Sequence, residues 1–87
     1  MAKPSPSYSG DNKLVAIGNA IAIGNAIRTY RIGIGLSQEA LALSAGLDRS
    51  YVGGIERGEH NLAIINLVKI CTALDLRPSE LLRRSGL

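Results

Sequence analysis

The sequence predicts an all-α fold, a bundle of five helices, and three observations point there. Apolar residues recur at helical spacing, as in Ala16, Ala20, Ile23, Ile27, Tyr30 and Ile34. Ser37, Asp48 and Pro78 stand where helices start, and Gly33, Gly35, Gly46 and Gly58 stand where they stop. The chain has 87 residues, 46% of them apolar and 20% charged, which suits one small globular domain. Its single cysteine means that the core must hold without disulfides.

Residues 1–13, with Pro4, Pro6 and several Ser and Gly, are expected to form a flexible N-terminal arm ahead of one domain spanning 14–87. The domain opens on an identical repeat, Ala16-Ile-Gly-Asn-Ala-Ile21 followed by Ala22-Ile-Gly-Asn-Ala-Ile27. A six-residue period turns equivalent side chains by about 120° on a helix, so the two copies cannot serve one face. Leu14, Ile17 and Ile21 fall away from the main stripe, which leaves three readings: fraying, packing within the molecule, or an oligomer contact. Gly18 and Gly24 each cost about 1 kcal/mol relative to Ala, so the firm part of the first helix is expected over Ala22 to Ile32.

Ser37 is placed to cap a second helix from Gln38 to Ala45, which Gly46 ends. Asp48 is expected to cap a third helix, closed by Gly58. Two short helices joined by a Gly-containing turn form a helix-turn-helix unit. A fourth helix, about Ile64 to Leu74, gathers Ile64, Leu67, Cys71 and Leu74 on one side. A fifth runs from Pro78 to Arg84, with Glu80 and the Arg83-Arg84 pair suiting the helix dipole.

The third helix divides sharply. Val52, Ile55 and Glu56 turn one way, and Arg49, Ser50, Gly53 and Arg57 turn the other. Gly53 and Gly54 strip bulk from the helix, either for close approach to another macromolecule or for tight packing on the second helix. Arg49 opposes the helix dipole in the first turn, a poor choice for helix stability alone. Its fork can instead donate two bonds to guanine, contact a phosphate or stay a solvated surface group, and Ser50 can serve as base contact, phosphate contact, cap or plain surface.

Ten Lys and Arg against seven Asp and Glu give a net charge of +3, which permits an anionic partner without naming one. Enzyme chemistry finds no support: His60 and Cys71 make no metal-ligand spacing, no phosphate loop appears, and the serines lack His and Asp partners. No cofactor and no metal are therefore expected. The stretch from Leu14 to Ile27 is too short, and too rich in Gly and Asn, for a membrane span. A cytoplasmic protein is expected, with Cys71 a buried small hydrophobe.

From Ala22 to Leu82 the sequence resembles the phage repressor and Cro-type (XRE-family) helix-turn-helix domain. The resemblance is carried by Ile27-Arg28, Arg31, Gly35-Leu-Ser-Gln38, Ala42, Ala45-Gly46-Leu47, Val52, Ile55-Glu-Arg-Gly58, Asn61 and Pro78-Ser-Glu-Leu-Leu82. It implies a lambda-repressor-like bundle whose third helix enters the DNA major groove while the second braces it. It further implies base reading by Arg49 and Ser50, with backbone or flanking contacts from Gln38, Tyr51, Arg57, His60 and Asn61. Gly54 matches another reading position but has no side chain to read with, and Leu62 replaces a proline usual in relatives. Arg31 and Glu56 match a partly buried ion pair, which their inward placement on the helical wheels independently favours.

The expected function is that of a sequence-specific transcription regulator of double-stranded DNA, resembling small restriction-modification controllers. A homodimer on a palindromic operator is expected, with contact to RNA polymerase one way to act. Helix five, with Leu76, Leu81, Leu82 and Leu87, resembles a pairing surface in such proteins, and the first repeat offers a second. The alternative is a protein-interaction adaptor on the same scaffold.

Overall fold

The computed structural model describes residues 10–87, with side chains from Lys13 onward. Five helices follow one another: α1 (Gly10–Gly33), α2 (Gln38–Ala45), α3 (Arg49–Glu56), α4 (Ile64–Ala73) and α5 (Pro78–Arg84). No strand occurs among the described residues, and the fold is all-α. Of the expected arm, residues 10–13 belong to α1, and residues 1–9 lie outside the described residues.

Local chemistry explains the short helices. Ser37 is extended, and its hydroxyl accepts from the Ala40 amide at 3.0 Å, a cap of about 1 kcal/mol that starts α2. Gly46 stops it with a φ of +68°, and Leu47 N–H then donates back to Ala42 C=O at 2.8 Å. Asp48 departs from expectation. It occupies the capping position in extended backbone, yet its carboxylate caps no amide and lies 3.4 Å from the Ser50 hydroxyl. Pro78 opens α5, where Glu80 pairs with Arg83 at 2.7 Å and Arg84 at 3.3 Å.

The core sits between the five helices: α3 packs on α1 and α2, α4 on α2, and α5 on α1 and α4. Ile27, Leu41, Val52, Ile70, Cys71 and Leu81 are completely buried. Each large aliphatic side chain hidden in this way contributes about 1.5–3 kcal/mol. Burial also pushes the Cys71 thiol above its ordinary pKa, as expected for an inert core group.

α1 and α3 meet backbone to backbone at Gly24. A Cβ there would run into the Ile55 carbonyl and lie 2.7 Å from the Glu56 carbonyl oxygen. Gly24 is thus selected by close approach, which outweighs its low helix propensity. A second contact fixes the same pair of elements. Gly58, with φ +75°, packs so closely under α1 that a Cβ would fall 2.8 Å from the Ile21 Cα.

Three sequence expectations change. First, α1 is helical well before Ala22, and the half that carries the first repeat leaves Leu14, Val15, Ile17 and Ile21 exposed. Only part of the expected stripe is buried: Ile27 is in the core, Ile23 and Tyr30 flank it, and Ala16 and Ile34 are exposed. Second, Ile64 is 72% exposed, because the first turn of α4 precedes the point where that helix meets the core. Third, Leu81 of α5 is fully buried and Leu76 and Leu82 pack on the core. Of the expected pairing surface, Leu81 is therefore withdrawn into the core, Leu76 and Leu82 stay partly exposed, and Leu87 is exposed.

Candidate nucleic-acid interface

At the centre of the candidate interface, α3 is held from behind by one buried ionic network. Arg31 on α1 donates through Nε to Glu56 Oε2 at 2.6 Å and through Nη2 to Glu56 Oε1 at 2.9 Å. Its Nη1 also donates to the Leu36 carbonyl at 2.8 Å. Gln38, at the start of α2, adds Nε2 to Glu56 Oε1 at 3.1 Å. The network ties the first three helices together and satisfies the buried charges. No buried side-chain nitrogen or oxygen among the described residues lacks a partner. The Glu56 hydrogen bond, opposed by partial desolvation, holds the Arg31 guanidinium above its ordinary pKa, so it stays charged.

With Val52, Ile55 and Glu56 turned inward, α3 presents Arg49, Ser50 and Arg57 outward. Arg49 and Ser50 sit in the first exposed turn. The Arg49 guanidinium lies 3.6 Å from Glu39 of α2, with both side chains mostly exposed. Such a pair is weak, about 0.2–1 kcal/mol, so Arg49 can exchange Glu39 for a stronger partner at low cost. Arg57 is held by Glu59 at 2.7 Å, a hydrogen-bonded pair that raises the Arg57 pKa and lowers that of Glu59.

Gly53 and Gly54 are both buried, which corrects the outward placement of Gly53. The Arg57 guanidinium and the Gln38 amide cover Gly53, with a Cβ there falling 3.1 Å and 3.5 Å from them. At Gly54 a Cβ would collide with the His60 imidazole, 2.6 Å from its Cδ2. The loop after α3 therefore folds His60 back over the helix, and the surface beside Ser50 belongs to His60. The His60 ring also packs on Tyr51, centroids 5.0 Å apart at 52°. Tyr51 is braced in turn by Asn66 of α4, whose amide donates to the phenolic oxygen at 2.9 Å. Asn61 follows, exposed in the same loop.

The structure thus brings Arg49, Ser50, Arg57, Tyr51, His60 and Asn61 onto or beside α3, with Gln38 at the junction of α2 and α3. Glu39, Glu59 and Asn66 were not singled out from sequence. Glu59 stands two residues from its cation, a readable spacing, whereas Asn66 meets Tyr51 only through the packing of α4.

A bundle whose second and third helices are joined through a left-handed glycine, with an exposed Arg-Ser pair opening the third, matches the helix-turn-helix family model over residues 27–81. The chain belongs to the helix-turn-helix family. Helix-turn-helix relatives include the control protein C.SmaI of Serratia marcescens, 43% identical over 61 residues, covering 70% of this chain and 73% of that one. Another is the control protein C.BamHI of Bacillus amyloliquefaciens, 38% identical, covering 71% of this chain and 78% of that protein. Among solved structures, the restriction-modification controller protein C.AhdI from Aeromonas hydrophila superposes with a TM-score of 0.70 at 52% identity. The match spans 71% of this chain and 94% of that one. The family is one of DNA-binding regulators. No described helix is long and apolar enough to cross a membrane.

Proposed function

We propose that this helix-turn-helix chain is a sequence-specific regulator of transcription that binds double-stranded DNA as a homodimer on a palindromic operator and performs no enzymatic reaction. One observation carries the reading. Arg49 and Ser50 stand exposed in the first turn of a helix whose opposite face is immobilised by Arg31, Glu56 and Gln38. A helix in the major groove contacts bases with its N-terminal residues, and a fixed helix presents an Arg fork to guanine O6 and N7 without the cost of ordering its own backbone. Gln38, Tyr51, Arg57, His60 and Asn61 surround that turn as contacts to the DNA backbone or to flanking bases.

Regulation then follows from occupancy. The bound dimer represses by blocking RNA polymerase, or activates by touching polymerase beside the promoter. Similarity to proteins named as restriction-modification controllers supports the same role for this chain, acting on genes beside its own operator.

The deciding experiment is selection from a random duplex library at roughly 150 mM salt, run with the original protein and with Arg49→Ala. An inverted repeat should emerge, and the variant should lose preference at one base pair per half-site, about 1–3 kcal/mol of discrimination. Equal weakening on every sequence would make Arg49 a phosphate contact. No enrichment from folded protein would replace the DNA reading with the adaptor reading.

A further inference from the structure

The N-terminal half of α1 lies outside the stretch matched by the family model, yet it is built against the loop that follows the reading helix. Between them runs a shallow groove of about 300 Å³. Lys13, Ala16, Ile17 and Ala20 form one wall, and Glu59, His60 and Asn61 form the other. Resting on the DNA-binding reading above, we propose that this groove is an additional DNA-phosphate site, with Lys13 as the cation that α1 adds beyond the family domain.

Helical register supports the assignment. Lys13, Ala20, Gly24 and Arg31 follow one another at spacings of seven, four and seven residues, so they share the side of α1 that faces α3 and its loop. Leu14 is turned about 100° from Lys13 and is exposed, whereas Ile17, four residues on, borders the groove and Ile21 rests on Gly58. The cation therefore lies on the side of α1 that borders the loop after α3. Two glycine contacts hold α1 in place. Gly24 seats it against the end of α3, and Gly58 seats the following loop beneath Ile21. Lys13 is seven residues, about 10 Å of helix rise, before Ala20, and both border the groove.

The chemistry of the groove suits a phosphate diester. An ammonium, an imidazole and a carboxamide supply donors, and Ala16 and Ala20 leave room beside Ile17 for a sugar edge. The one carboxylate in the wall, Glu59, is engaged by Arg57 at 2.7 Å, which lessens its repulsion of an anion. The loop also carries His60 back over Gly54, so the groove continues the surface of α3 that faces the DNA. Phosphate contacts of this kind position a reading helix without carrying sequence information.

The test measures the affinity of the full chain for its selected duplex against salt, for the original protein, Lys13→Gln, Lys13→Arg, and Lys13→Gln combined with Leu14→Lys. Losing one phosphate contact lowers the slope of log K against log salt by about 0.9, so the advantage of the original over Lys13→Gln should shrink about 3.5-fold from 50 to 200 mM. Base preference should not change, and Lys13→Arg should restore the slope. The double variant keeps the net charge but moves the cation to the exposed face, and should remain weak. A Lys13→Gln slope equal to the original, or full rescue by the double variant, overturns this inference while leaving Arg49 readout intact. If the original protein binds no duplex, both readings fall.

Discussion

The Arg31–Glu56 pair shows how one charge decides whether another is tolerable. Glu56 has a side chain only 2% exposed, and three N–H donors from Arg31 and Gln38 reach its carboxylate. Removing Arg31 leaves a desolvated anion with a single neutral donor. Arg31→Ala should lower stability by about 3–5 kcal/mol, or roughly 12 °C or more in Tm for a domain this small. Thermal unfolding followed by circular dichroism checks it, and an unchanged Tm would remove the pair from the account of α3 rigidity. On the exposed face of α3 the opposite holds. Arg49 and Glu39 are solvated, their attraction is screened, and the pair leaves Arg49 free to take another partner.

Among the helices, α1 is the element that depends most on where its glycines fall. Gly18 and Gly24 occupy equivalent places in the two copies of the repeat, yet their surroundings differ completely. Nothing lies within 4 Å of a Cβ built on Gly18, whereas one on Gly24 meets the backbone carbonyls of Ile55 and Glu56. Gly18→Ala should therefore stabilise the protein by up to about 1 kcal/mol through helix propensity. Gly24→Ala should destabilise it, by about 1–3 kcal/mol or more, because two backbones must separate. Parallel urea titrations give both signs, and a stabilising Gly24→Ala would mean that α1 does not sit on α3 as described. The same contrast explains why a helix was expected only from Ala22. Two glycines and two asparagines weaken the local signal, and the close packing at Gly24 supplies the compensation that propensity omits.

For the molecule as a whole, the distribution of exposed aliphatic residues bears on assembly. With Leu81 buried, α4 offers Ile64, Ile65 and Val68 to solvent, 72%, 66% and 46% exposed, on a helix that also supplies Leu67, Ile70 and Cys71 to the core. A dimer must set its two reading helices about 34–36 Å apart to address successive major grooves. We expect self-association through α4. Ile65→Glu should shift sedimentation from dimer toward monomer at micromolar concentration and weaken binding to the palindrome, with little change in monomer stability. A persistent dimer in that variant would move the contact to another surface, with the exposed Leu14, Ile17 and Ile21 of α1 next to be tested.

Much of this molecule was legible as a sequence because its signals are local. Ser37, Gly46, Gly58 and Pro78 act through caps and turns within a few residues, so they mark α2, α3 and α5 without reference to the rest of the chain. The period of α3 likewise separates Arg49 and Ser50 from Val52, Ile55 and Glu56, and pairing Arg31 with Glu56 needed only two helical wheels and a family resemblance. Contacts between distant segments were different. That Gly54 lies under His60, that Asn66 braces Tyr51, that Leu81 turns inward and that Lys13 stands across a groove from Asn61 are consequences of how helices pack. The sequence by itself determined α2 to α5 and the face of α3 that carries Arg49 and Ser50, since backbone propensity and amphipathic period are short-range properties. Only the tertiary structure decided which glycines are structural, which leucines are core and which side chains border the reading helix, because those depend on backbone separations that no local pattern encodes.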